Sequence, residues 1–483
     1  MTSPQVIYAS HAGAILDSNV LTGKGTDDTA ALQAVLDRAP ELGWLHLIVD
    51  GAALVRGLTI YSNTTIECRN QSCGFFLADG ADRSLLWNAH PSESEIVDRN
   101  ITLIGGTYNG NAAGQVHHTD DNRWVTGMDF FGVAQLSIRN IIIRDQRTFA
   151  AFIANFQYVH MENISILLED PIQEGNQDGL HFCGPGQFLT LRNIQGCSWD
   201  DFIALNADDG HTYYTESGEL AAKDWPYIGF GPITDVLIDG VILDKAAQGI
   251  RFLSRTSLID RVVVRNITGT YRSFGFFMDP FWSKGGNFGN IVFDTVDLRA
   301  IAPNYTYMPN FLFALGGHHE CVTLRNIYNF HAEDARRVLY IEDDAEIDAL
   351  HLDGFYVTEG GETPPGASQI IVNGHVKRMV VHHAHIQRPQ DAAPAGTLLE
   401  VVERAAPHGI DHLLLDTVVA DRLANIIHLR GGEIGLLQVD NVVCTGVGEA
   451  IIRVDGGAVN SVSAGHVFGA ELLQVNESGR VTA

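Results

Sequence analysis

LSIRNIIIRD (136–145), VHMENISILLED (159–170) and LTLRNIQG (189–196) are three versions of one phrase: alternating apolar residues, an asparagine, then a second alternating run. Period-two alternation marks a strand with one buried face. The phrase returns as VLIDGVILD, VVVRNITG, IVFDTVDL, VTLRNIYN, LHLDGFYV, LLLDTVVA and LQVDNVVC, at spacings of mostly about 23 to 33 residues, which is solenoid spacing. Between the copies runs a second recurring strand, as in GLHFCG, DFIALN, GIRFLS, IIVNG and IIHLRG. Two or three short strands per repeat, with no helix between them, describe one coil of a parallel β-helix whose coils stack through their strand edges. The expected fold is therefore all-β, a single-stranded parallel β-helix.

One segment departs from this pattern. GTDDTAALQAVLDRAPELG (25–43) has Thr26 and Asp27 as N-cap candidates and Leu32, Val35, Leu36 and Ala39 at helical spacing, before Pro40 and Gly43. It predicts a short amphipathic helix. The expected organisation is an N-terminal cap over residues 1–55 and a β-helix over 56–483, continuous with it. The repeated asparagines (Asn140, Asn163, Asn193, Asn266, Asn326, Asn441) read as a turn residue that forms a side-chain amide ladder and satisfies buried backbone groups. They are assigned no chemistry.

The 483 residues are 45% hydrophobic and 18% charged, with a formal net charge of −27. That charge argues against nucleic-acid or anionic-membrane partners, which need a basic face, and makes a polyanionic substrate unfavourable unless basic residues gather locally. The six cysteines have no CxxC pairing, so mostly free thiols are expected, with neither a disulfide framework nor a zinc site. No cofactor is expected. The first residues lack the basic-then-apolar pattern of a signal peptide, and no run of about 18 apolar residues occurs. The sequence reads as soluble, in the cytoplasm or secreted with a signal removed.

The acids stand out against this background. Asp178 in NQDG and the Asp200–Asp201 pair in CSWDDF are about one coil apart. Strands in a sheet lie about 4.7 to 4.9 Å apart, so matching turns of adjacent coils would bring the three carboxylates together. At least one would then keep a proton near neutral pH while its neighbours stay charged. An acid beside a base is what glycosidic hydrolysis requires. The plain alternative is that these are turn aspartates that bond backbone amides and face water. A similar pair, Asp343–Asp344, carries no assigned site.

NQDG, then DD about one coil later, then QGIRF at 248–252 resembles the polygalacturonase family, glycoside hydrolase family twenty-eight, and its wider pectin-lyase-like β-helix clan. That family shows N-T-D-G, D-D, G-H-G and R-I-K on a right-handed parallel β-helix and hydrolyses pectic glycosides with inversion. The resemblance implies Asp200 as general acid, Asp178 and Asp201 as the pair that activates water, and Arg251 as the sugar-binding arginine. Leu253 stands where the family has a substrate-binding lysine, and no G-H-G occurs between Asp201 and Arg251. His181, in DGLHF, could replace the missing histidine or pack.

Further candidates line the chain nearby. NADDGH supplies Asn206, Asp208 and Asp209, as cleft residues gripping sugar hydroxyls or as an incomplete oxygen set for Ca²⁺, and His211 as a second candidate for the missing histidine. FGFFMDPFWSKGG adds Asp279, Trp282 and Lys284, with Trp282 as a wall against a sugar ring. Tyr340 and Glu342 alternate outward on a later coil. The expected function is an inverting glycoside hydrolase acting on a carbohydrate. A polysaccharide lyase, a fructan transferase, an epimerase or a non-catalytic glycan-binding β-helix remain alternatives.

Overall fold

The computed structural model describes residues 5–116, 124–169, 176–208, 212–214, 220–223, 227–279, 285–302, 311–330, 337–358, 368–391, 393–402, 409–446, 448, 450–469, 471–476 and 479–481. They divide into two compact units, residues 1–253 and 254–483. Each is built of parallel strands stacked coil upon coil, so the fold is the parallel β-helix expected from the repeats, with the right hand that the family resemblance implies. No helix among the described residues is long and apolar enough to cross a membrane.

In the first unit the strands Met128–Arg144, Ala151–Leu167, Leu180–Gly196 and Ile233–Leu253 pair in parallel. The alternate apolar positions of the repeated phrase become columns through the core. Leu136, Val159, Leu189 and Val236 form one, and Ile138, Met161, Leu191 and Ile238 another, every member at most 3% exposed. The second unit repeats this with Val322, Leu350, Met379, Leu413 and Leu437, each fully buried. Burial of such a side chain contributes about 1.5 to 3 kcal/mol, so the columns supply the main cohesion between coils.

The helix forms over Thr29–Leu36 and buries Leu32, Val35 and Leu36, but its start differs from the expected one. Asp28, not Thr26 or Asp27, is the N-cap residue, and its carboxylate is drawn away to accept from the Ile15 and Leu16 amides at 2.6 and 2.9 Å. Asp27 instead accepts from the Thr29 amide at 3.0 Å. Pro40 does not close the helix: it sits in the first turn of a second one, Ala39–Leu42, where its missing N–H has no helical partner to lose. The strands Leu45–Val49 and Ala52–Val55 already stack on Thr64–Cys68 and Gly74–Leu77.

An asparagine ladder forms among Asn140, Asn163 and Asn193, at exposed turns rather than against buried backbone, while Asn326 and Asn441 donate instead to Asp294 and Asp416, each at 3.0 Å. Asn163 Nδ2 donates to Asn140 Oδ1 at 2.8 Å and Asn193 Nδ2 to Asn163 Oδ1 at 3.0 Å. All six repeated asparagines have φ between 51° and 59°, the left-handed region that asparagine tolerates better than other side-chain-bearing residues. The conformation of the bend, as much as the amide bond, selects the residue.

Candidate functional site

The central acids lie where the first unit's chain re-enters its strands. After Leu180–Gly196, the backbone bends at Gly196 (φ 136°), where a Cβ would lie 1.9 Å from the Ile166 carbonyl oxygen. The chain then passes Trp199, whose amide donates to Gln177 O at 3.0 Å, and enters the strand Asp201–Asn206. Leu180 pairs with Ile203, so Asp178, two residues earlier, stacks on Asp201, and the Gly179 amide donates to Asp201 O at 2.8 Å. The glycine of NQDG is fixed by this approach, because a Cβ on Gly179 would lie 2.3 Å from Phe202 O. The next coil places Gln248 opposite Asp201.

Two columns result. Asp178, Asp201 and Gln248 share one, each two residues before a core residue, namely Leu180, Ile203 or Ile250. His181, Ala204 and Arg251 share the other, on the face opposite the core residues. Ala204 presents only a methyl group between the imidazole and the guanidinium.

Hydrogen bonds fix most of these groups. His181 Nδ1 lies 2.7 Å from Asp178 Oδ2, and the Asn206 amide nitrogen 3.4 Å from His181 Nε2. An amide NH₂ can only donate, so this geometry leaves Nε2 the acceptor and Nδ1–H the donor to Asp178. The imidazole stacks on Phe149 at 4.3 Å and meets Phe152 edge-on at 5.0 Å. Those rings belong to a buried cluster with Phe131, Ala154, Cys183 and Ile228. Asp200 accepts from the Asn176 amide at 2.9 Å and from Gln248 Nε2 at 3.1 Å. Gln146 Nε2 donates to Asp178 O at 3.0 Å.

Burial and like charge act together on the acids. Asp201 is pushed well above the usual carboxylate range, first by burial and then by Asp178 and Asp200, against the opposing pull of Arg251 and His181. Asp200 is also raised by burial, and is held back by the Asn176 amide, Gln248, Arg251 and His181. Asp201 Oδ1 is buried and has no hydrogen-bond partner among the described residues. Asp200 differs in keeping a partial opening to solvent.

Arg251 stands on the expected face but is only 3% exposed, so it is a buried cation beside acids rather than a solvated one. Asn206 and Asp208 are buried at the end of their strand, each 3% exposed. Asp209, His211, Trp282 and Lys284 lie outside the described residues. Asp279 belongs to the second unit, where it surrounds Gly316 together with Glu342 and Asp344. Asp344 is raised there by burial and then by Asp343 and Asp279. Tyr340 stacks on Phe311 at 4.6 Å. Leu253 is buried and pairs with Asn206, so an apolar group stands at the position of the expected pattern's lysine.

Gln248 was not among the expected site residues. The sequence holds only a local signal for it, a polar side chain two residues before an apolar one, the offset already held by Asp178 and Asp201.

No protein-family profile and no curated protein matches the chain. Solved structures do. A tailspike protein of E. coli bacteriophage HK620, in complex with pentasaccharide, is 12% identical over 82% of this chain and 73% of that one, with a TM-score of 0.57. A Yersinia enterocolitica family 28 exopolygalacturonase is 14% identical, covering 99% of this chain and 78% of that one, with a TM-score of 0.48. PfbA, a surface adhesin of Streptococcus pneumoniae, is 12% identical over 96% and 91% of the two chains, with a TM-score of 0.42. At such identities the likeness is one of fold.

Proposed function

We propose that the protein is a distant polygalacturonase-like glycoside hydrolase that cleaves a glycan with Asp178, Asp200 and Asp201. The observation that carries this reading is the stacking of Asp178 on Asp201 in adjacent coils, with Asp200 beside them and Arg251 and His181 on the neighbouring column. Asp200, raised by burial and alone of the three in keeping an opening to solvent, is the proton donor to the leaving oxygen. Asp178, accepting from His181, and Asp201, stacked on it, form the pair that activates water. Arg251 holds the sugar beside the scissile bond.

The substrate class follows from what the site lacks. With Leu253 in place of a lysine and a net charge of −27, a neutral glycan suits the site better than a polyuronate. The tailspike likeness, to a protein in complex with pentasaccharide, supports a glycan on this fold. The test is an array of neutral and uronate glycans with product analysis by NMR, which reads linkage and anomeric outcome together. Asp200→Asn should lower turnover by roughly 10² to 10⁴ with an unchanged circular-dichroism spectrum. Full activity in that variant overturns the assignment, and products that absorb in the ultraviolet through a new conjugated double bond would make the enzyme a lyase.

A further inference from the structure

The second unit carries a column whose sign alternates from coil to coil: Asp294, Arg325, Asp353, His382 and Asp416 are in register. At His382 the alternation acquires a second imidazole. His383 occupies the ladder bend that other coils fill with Asn326, Gly354, Thr417 or Asn441, and has a φ of 54°. Consecutive residues of an extended strand project to opposite faces. The left-handed bend instead brings the two rings together, with centroids 3.6 Å apart.

Both rings aim Nδ1 at one carboxylate. His383 Nδ1 lies 3.0 Å and His382 Nδ1 3.5 Å from Asp353 Oδ1, and ligand atoms of the three residues all lie within 4.8 Å of one another. On its far side, His382 Nε2 lies 3.2 Å from Asp416 Oδ2. Asp353, His382 and Asp416 also line a groove of about 550 Å³.

We infer that Asp353, His382 and His383 form a zinc site, with Asp416 as a positioning residue. Zinc–nitrogen bonds of 2.0–2.1 Å at tetrahedral angles set neighbouring ligand atoms about 3.3 Å apart, and the two Nδ1–Oδ1 distances of 3.0 and 3.5 Å bracket that value. Two imidazoles and one carboxylate suit zinc, whereas Ca²⁺ and Mg²⁺ take oxygen ligands. A histidine that binds zinc through one ring nitrogen commonly gives its other N–H to a carboxylate, and Asp416 is placed to receive it. The ligands come from adjacent coils, so the ion ties Glu346–Thr358 to His375–Gln387. The groove leaves the fourth position for water or an exogenous ligand. Cysteine spacing gives no hint of this site, because no cysteine supplies a ligand.

The experiment uses the untagged full chain, stripped with EDTA and titrated with Zn²⁺ by calorimetry, with Tm followed in parallel. The native protein should show a saturable site and a Tm that rises with zinc. His383→Asn, which installs the residue other coils carry at this bend, should keep the metal-free Tm and weaken binding at least tenfold. Asp416→Asn should weaken it roughly ten- to a hundredfold. The chain has 20 histidines, so the comparison of variants decides, not the stoichiometry alone. Absence of saturable binding, or His383→Asn and His382→Gln proteins that bind zinc as tightly as the native one, overturns the inference.

Discussion

His181 donates through Nδ1 to Asp178 Oδ2 at 2.7 Å while its ring lies flat on Phe149 at 4.3 Å. The aromatic wall fixes the plane of the imidazole, Asn206 fixes its tautomer, and together they hold one carboxylate of the central trio. His181→Phe keeps a flat ring against Phe149 and removes the N–H. Turnover should fall on the order of 10²-fold, and Tm should fall as well, because the buried Asp178 carboxylate loses this donor. Wild-type kcat in this variant would reduce His181 to packing.

Asp201 makes folding and chemistry oppose each other. Its carboxyl is raised well above the usual range in the folded state. The folded protein therefore binds this proton more tightly than the unfolded chain does. The resulting stability is complete below the unfolded pKa and is lost as pH rises through the folded one. Asp201→Asn stays neutral throughout. Its Tm should decline less than that of the native protein between about pH 4 and pH 8, and its activity should fall by roughly 10² to 10⁴. Parallel Tm profiles for the two proteins would refute the charge argument.

Gln248 tunes Asp200. Its amide donates to Asp200 Oδ1 at 3.1 Å and pulls that carboxyl down against the effect of burial. Gln248→Leu removes the pull, so Asp200 should keep its proton to higher pH. If Asp200 is the proton donor, the alkaline limb of the pH–rate profile should move upward, because a hydrogen bond that favours the charged form is lost. A limb that stays in place, or moves down, would separate Asp200 from the proton-donating step.

The asparagine ladder offers a test of conformation against hydrogen bonding. Asn163 accepts from Asn193, donates to Asn140, and has a φ of 55°. Asn163→Ala loses both bonds and strains the bend, a cost of about 2 kcal/mol. Asn163→Gly loses the bonds alone, at about 1 kcal/mol. Urea unfolding of the two variants should rank Gly above Ala, and equal stabilities would show that the bend conformation contributes nothing.

The sequence by itself determined the fold. The period of two placed Leu136 and Ile138, and beyond the Asn140 bend Ile141 and Ile143, toward the interior, and recurrence of the phrase placed each copy above the last, because stacked coils repeat the same side-chain environment at every level. It also separated Asp178 from the Asp200–Asp201 pair by about one coil. Tertiary structure decided what depended on unequal coils. The Ile233–Leu253 strand lies on Leu180–Gly196 only after an insertion that contains the antiparallel pair Thr212–Tyr214 and Leu220–Lys223. Spacing therefore could not set Gln248 over Asp201, nor Arg251 over Ala204. The left-handed bend at His383 likewise brings together two rings that strand alternation alone would hold apart. Hydrophobic alternation is written locally and survives in any register, whereas a site needs particular side chains at the same level of neighbouring coils, and that alignment exists only once the chain has wound.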